Sequence, residues 1–204
     1  YMRTDSVRIS AEAQQSALAR IREVYGDEYA PEKPNFYATK KGAQDAHEAV
    51  RPIDLSMTPE KAKKLLDRKH FALYKLIYER FLASQMAEAK YNSTQMEIDN
   101  SGYIFKASGR VLLFAGYTKI YQEAAPRKED EDEPSSSKLL PDLKEGDTLG
   151  LVSMNKEQKF TKPPLRYTDA SLVKAMEEKG IGRPSTYATI ISKLNQKYLK
   201  KDGK

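Results

Sequence analysis

Apolar and polar positions alternate with a helical period through the first part of the chain. After Ser10, a good helix N-cap, and Glu12 in the first turn, apolar residues recur at Ala17, Leu18, Ile21, Val24 and Tyr25. This spacing predicts a helix ending near Gly26. Thr58-Pro59-Glu60 repeats the start signal, with proline at the first helical position. Leu65 and Leu66, a charged break at Asp67-Arg68-Lys69, then Leu73, Tyr74, Ile77, Phe81 and Leu82 predict one long helix or two. The rings of Phe71, Tyr74, Tyr78 and Phe81 suit a core, and His70 reads as structural.

After Ala89 the period shortens. Thr94 to Ile98, Tyr103 to Ala107 and Arg110 to Phe114 are β-favouring runs separated by Asn100-Ser101-Gly102 and Ser108-Gly109, which predicts a three-stranded antiparallel meander. The segment from Ala124 to Lys138 has little to bury and reads as a mobile acidic loop. Thr148 to Val152 then reads as a strand resuming the same sheet. Thr168 caps a helix carrying Leu172, Val173 and Met176 that stops at Gly180. A second helix starts at Pro184 or Ser185 and carries Tyr187, Ile190, Ile191 and Leu194, a pairing like a helix-turn-helix.

Charge sharpens this picture. Lys plus Arg number 35 and Asp plus Glu 29, a net of +6, and five of those acids sit together in Glu129 to Glu133. From Lys159 onward 11 basic and 4 acidic residues give 11 − 4 = +7. Such a surface favours a polyanion, with nucleic acid ahead of an acidic membrane. No helix pairs a continuous basic face with a strong apolar one, so a membrane-surface role fits poorly. No apolar run is long enough to span a bilayer. The absence of cysteine excludes disulfides, thiolate nucleophiles and cysteine zinc sites, and His47 and His70 alone offer little for a metal cluster. The chain opens on Tyr1 and ends on Lys200-Lys201-Asp202-Gly203-Lys204, so it reads as a piece of a longer protein.

Three strings could carry chemistry. In Tyr1-Met2-Arg3-Thr4-Asp5-Ser6, an extended backbone puts Tyr1 and Arg3 on one face. A cation beside a phenol, whose reference pKa is roughly 10, favours the phenolate and can neutralise a phosphate under attack. In Asp45-Ala46-His47-Glu48-Ala49-Val50-Arg51-Pro52, a helical turn would align His47 and Arg51 at i and i+4 to grip a phosphate, although Pro52 biases Arg51 away from helix. In Gly182-Arg183-Pro184-Ser185-Thr186-Tyr187, unpaired amides at a helix start, with Arg183, Ser185 and Thr186 beside them, would suit an anion. Each string also has a plain structural reading, as a surface triplet, a capped turn and an interhelical turn with Gly180 as cap.

Together these strings resemble the type IA DNA topoisomerases, bacterial topoisomerase I in particular rather than topoisomerase III or reverse gyrase. The matching strings are YMRTDS at 1 to 6, DAHEAVRP at 45 to 52, LYKLIYERFLASQM at 73 to 86 and FTKPPLRYTDASLVKAMEEKGIGRPSTYATIIS at 160 to 192. The resemblance implies an α+β multidomain fold, part of the family's toroid. Residues 1–88 would form a helical domain with the catalytic tyrosine, 89–158 a β-rich arch or hinge with the acidic loop 124–138, and 159–204 a partial helical strand-binding domain.

It further implies that Tyr1 is the nucleophile, with Arg3 and His47 catalytic beside it. Arg3, His47, Arg51, Arg183, Ser185 and Thr186 would bind single-stranded DNA. Mg²⁺ would belong to a TOPRIM domain absent from this chain, leaving no metal ligand here and no activity in the piece alone. The implied setting is a cytoplasmic, chromosome-associated bacterial enzyme, monomeric when complete, with no nucleotide cofactor and no membrane partner. The other reading is a non-catalytic helix-turn-helix module that docks nucleic acid.

Overall fold

In the computed structural model the described residues are 6–38, 48–122, 140–158, 160–161 and 163–196. By contact they fall into two compact units, 6–144 and 145–196. Tyr1, Arg3, His47, the acidic loop 124–138 and the basic end at 200–204 lie outside the described residues.

In the first unit, helix α1 spans Ala11–Tyr25. The Ser10 hydroxyl accepts from the Ala13 N–H at 3.3 Å, and Gly26, at φ 105°, ends the helix as its C-cap. A short helix α2 covers Pro59–Ala62 with Thr58 as cap. It is separate from helix α3, Arg68–Ser84. The charged break is itself the cap of α3: Asp67 accepts from the Lys69 and His70 N–H groups at 2.9 and 3.2 Å, and its second carboxylate oxygen engages the His70 Nδ1. Two helices rather than one therefore follow Thr58, and Leu65 and Leu73 stay exposed.

The core of this unit gathers one face of α1 and the C-terminal part of α3. Ala13, Ala17 and Ile21 bury with Tyr78, Phe81, Leu82, Met86 and Tyr29. Gln14 and Gln85 are buried polar groups, and the Gln14 amide donates to the Gln85 side-chain oxygen at 3.0 Å and to the Asn35 carbonyl at 2.9 Å. Asn35 in turn donates to the carbonyls of Ser84 and Met86, both at 3.0 Å. That satisfies acceptors a helix end otherwise leaves open.

Strands β1, Lys90–Asn100, and β2, Tyr103–Phe114, form one antiparallel hairpin. Its tip pairs Asn100 with Tyr103 across Ser101 and Gly102, at φ 56° and 86°, the double positive φ of a tight hairpin turn. Ser108-Gly109 has the chemistry of a second turn. Instead, Gln95 faces Ser108 and Thr94 faces Gly109, so β2 runs straight through. β1 is long enough to pair every residue of β2 from Tyr103 to Leu112, with Leu113 bulged out before Phe114 meets Lys90, and Ser-Gly permits a turn without compelling one. Among the described residues 148–152 no strand occurs, because a β-prone run without a ladder partner gains nothing from extension. The meander is thus a two-stranded ribbon of about 36 Å at 3.3 Å per residue.

The ribbon is anchored at its base. Gly116 adopts φ 49°, and a Cβ there would lie 2.5 Å from the Ala87 oxygen and from Glu88 backbone atoms. This close approach lets the Tyr117 N–H reach the Ala87 carbonyl at 2.9 Å. Phe114 packs on Tyr29 with ring centroids 4.8 Å apart.

In the second unit, helices α4, Asp169–Glu178, and α5, Pro184–Leu194, are the regular elements among the described residues. Thr168 and Ser171 cap α4 reciprocally, at 2.8 and 3.2 Å. Gly180 at φ 67° and Gly182 at φ 77° turn the chain between the helices.

Candidate functional site

Two groups of candidate residues can be placed, one in each unit. In the first unit, residues 6–10 run beside residues 48–52. Ser6, the last residue of YMRTDS, is buried, and its hydroxyl accepts from the Arg8 N–H at 3.2 Å. The Ala49 N–H donates to the Arg8 carbonyl at 2.8 Å. Strings far apart in sequence thus meet through main chain.

Residues 48–52 carry no helix, so the helical turn expected to align His47 with Arg51 is not formed over its described part. The Pro52 ring disfavours helical geometry at Arg51. The Arg51 guanidinium has local partners on three of its five N–H donors. Its Nε and Nη2 donate to one Glu48 carboxylate oxygen at 3.1 and 2.9 Å, and its Nη1 to the Pro52 carbonyl at 3.3 Å. An open groove of about 530 Å³ flanks this pair, lined by Glu12 and Asp54 as well as Arg51.

Glu48 carries the electrostatic balance here. Burial by itself would raise its carboxyl pKa, but hydrogen bonds from the Ser10 hydroxyl and from Arg51, the Arg51 charge and the Ser10 N–H hold it below the ordinary value. Taken alone, Glu48 bears no mark of a site residue in its string. The signal that could have found it is Arg51, three residues on in the same string, whose charge needs a partner where it is half-buried.

In the second unit the turn before α5 presents Arg183, Ser185 and Thr186, all exposed. The Thr186 hydroxyl accepts from the Arg183 N–H at 2.9 Å and donates to the Arg183 carbonyl at 3.0 Å. It therefore organises the turn that holds Arg183 outward. A Cβ on Gly182 would stand 3.2 Å from both the Thr186 hydroxyl and Ile190, so the turn packs closely on α5. The first turn of α5 has no acidic residue, which leaves the partial positive charge of its amides unopposed. Lys174, Lys179 and Lys193 are also exposed on this unit.

The family described as DNA topoisomerase matches residues 1–204. This chain belongs to the bacterial type IA DNA topoisomerase I family. It is 45% identical to DNA topoisomerase 1 of Vibrio cholerae over 203 residues, 99% of this chain and 22% of that protein. Against DNA topoisomerase 1 of Campylobacter jejuni it is 46% identical over 198 residues, 97% of this chain and 27% of that one. The chain thus spans about a quarter of the length of these topoisomerases. The solved structure of full-length topoisomerase I from Thermotoga maritima superposes with a TM-score of 0.74 at 39% identity, covering 95% of this chain and 29% of that one. The mixed α+β arrangement of helices and an antiparallel hairpin accordingly matches part of topoisomerase I.

The type IA family uses Mg²⁺ in its TOPRIM domain. Among the described residues no three histidine or acidic side chains gather as metal ligands, so the residues here do not fit that site. None of the described helices is long and apolar enough to cross a membrane.

Proposed function

We propose that this chain is the tyrosine-bearing and hinge part of a type IA DNA topoisomerase, with residues 1–88, 89–158 and 159–204 as tyrosine domain, β-rich arch and partial strand-binding domain. In this reading Tyr1 attacks a phosphodiester of single-stranded DNA. The bond from the tyrosine oxygen to phosphorus forms as the bond from phosphorus to the 3′ oxygen breaks, the phenol losing its proton and the leaving oxygen gaining one. The products are a 5′-phosphotyrosine and a free 3′-hydroxyl. One phosphodiester has replaced another, so resealing after strand passage needs no ATP and negative supercoils relax without it.

Arg3 stabilises the phosphate and the ionising tyrosine. His47 and Arg51 steady the neighbouring DNA backbone. Arg183, Ser185 and Thr186 meet the strand upstream of the cut, at the electropositive start of α5. Catalysis of this kind rests on positioning and charge stabilisation, so the chain alone, without the TOPRIM domain, neither cleaves nor relaxes DNA.

The observation that carries this reading is the match to proteins named DNA topoisomerase 1 over 99% of the chain, with Tyr1-Met2-Arg3 at its head. The test is to trap denatured DNA–protein complexes in the complete protein, with Tyr1→Phe alongside. The covalent adduct disappears in the variant. An undiminished adduct would exclude Tyr1 as nucleophile and leave the helix-turn-helix binding module as the better account.

A further inference from the structure

The two helices of the second unit leave an open groove of about 720 Å³ between them. Its floor is apolar, formed by Val173 of α4 and by Pro184, Ala188 and Ile191 of α5. These α5 positions recur at i, i+4 and i+7, so they share one face of the helix. Toward the C-terminal end of α5 the groove is lined by Ser192, Asn195 and Gln196, whose hydroxyl and amide groups both donate and accept hydrogen bonds.

Tyr187 joins this groove to the turn that presents Arg183. Its N–H and that of Thr186 donate to the Arg183 carbonyl, at 3.1 and 2.8 Å. Its half-buried side chain lines the groove, and the ring lies so near Gly182 that a Cβ there would stand 3.3 Å from its Cε1. One aromatic ring therefore borders both the turn suited to a phosphate and the apolar trough beside it.

We infer, resting on the functional reading above, that this groove is a base-binding subsite for single-stranded DNA, in which Tyr187 stacks on the base of the nucleotide whose phosphate sits at the start of α5. A strand held by its phosphate at Arg183, Ser185 and Thr186 has to place its bases nearby, and the groove begins at Pro184, the residue after Arg183. Charge favours a polyanion over an apolar protein segment, since Lys174, Lys179, Arg183 and Lys193 are exposed on these helices and the turn between them. From Pro184 to Asn195 the helix rises about 16 Å at 1.5 Å per residue. Stacked bases stand about 3.4 Å apart, so the trough admits several in succession. Its apolar floor takes base faces, and the Asn195 and Gln196 amides stand where base edges would pass. Every base has a face that stacks, so the contact adds affinity more than sequence preference.

The test uses the complete topoisomerase and single-stranded oligonucleotides carrying 2-aminopurine at successive positions, since this base loses fluorescence when it stacks. Binding is expected to quench the probe over a run of adjacent positions. Tyr187→Ala should abolish the quench at one end of that run and lower affinity roughly 5- to 150-fold, the range of a lost base–aromatic stack. Tyr187→Phe keeps the ring and should hold both readings within about 2-fold of wild type. Should Tyr187→Ala fail to fold, Ala188→Glu carries the comparison. That position is exposed on α5, and a carboxylate in the groove should repel the strand and abolish the quench.

A quench and affinity that survive Tyr187→Ala, or that are lost equally in Tyr187→Phe, would overturn the inference. So would variants whose sole defect is a lower unfolding midpoint, since the groove would then be covered by protein. Arg183→Ala separates the two claims. If it weakens binding while Tyr187→Ala does not, only the base subsite falls; if neither weakens binding, the strand does not run along α5 and the strand-binding reading of this unit falls with it.

Discussion

Asn35 permits a sharp test of how the end of α3 is held. Its side-chain amide sits 3.0 Å from the Ser84 carbonyl and 3.0 Å from the Met86 carbonyl. Met86 is only 1% exposed, so water is a poor substitute there, whereas the Ser84 carbonyl keeps the Tyr37 hydroxyl at 2.6 Å. Removing two such bonds at about 0.5–1.5 kcal/mol each gives Asn35→Ala a loss of roughly 1–3 kcal/mol.

Asn35→Asp is almost the same shape yet should be worse by about 1–2 kcal/mol. It turns the one nitrogen that makes both bonds into an oxygen facing two carbonyl oxygens, and at a helix C-terminus a negative charge opposes the dipole. The folded protein would then favour the protonated acid, so the introduced carboxyl has a folded pKa above its unfolded value of about 3.9. A raised folded value on an acid means the penalty is full at neutral pH and shrinks as pH falls through that value. Urea unfolding followed by far-ultraviolet circular dichroism reads both effects. The reasoning fails if Asn35→Asp is as stable as Asn35→Ala near neutrality, or if its deficit widens on acidification.

Gly116→Ala should cost at least about 2 kcal/mol, combining a left-handed backbone with a Cβ driven 2.5 Å from the Ala87 oxygen; unfolding and limited proteolysis at the base of the hairpin would register it. Thr186→Val removes the reciprocal bonds to Arg183 and should destabilise the start of α5 by about 1 kcal/mol, seen as faster amide exchange there. Arg183→Ala in the complete topoisomerase should weaken single-stranded DNA binding and lower the slope of log affinity against log salt by about 0.7. The Glu48 carboxyl is held below its ordinary value, so its contribution is complete above the unfolded value of about 4.3 and is lost as pH falls through the lower folded one. Glu48→Gln should remove that part of the acid-unfolding profile, as pH titration of the unfolding midpoint would show.

Local rules made much of the fold legible. Ser10 and Gly26 bound α1, Thr58 with Pro59 starts α2, and Ser101-Gly102 turns the hairpin, each because one residue type suits one backbone geometry. Asp67 shows the limit of such rules. As a charge inside an apolar pattern it reads as an interruption, but by accepting two N–H groups it begins a helix. Ser108-Gly109 errs the other way, since its turn chemistry is overridden by an opposing strand that pairs straight past it. Gly116 is silent in sequence, because its need for glycine comes from Ala87 and Glu88 passing close by.

The candidate site divides on the same principle. Arg51, Arg183, Ser185 and Thr186 are conspicuous from their chemistry, because a motif displays the groups suited to touching a phosphate. The structure then gives Thr186 a second task, and it commits Arg51 to Glu48. Groups that hold other groups in place carry no such mark, since their partners lie elsewhere in the chain. The tie between residues 6–10 and 48–52, the Ala49 N–H on the Arg8 carbonyl, is visible only once the chain is folded.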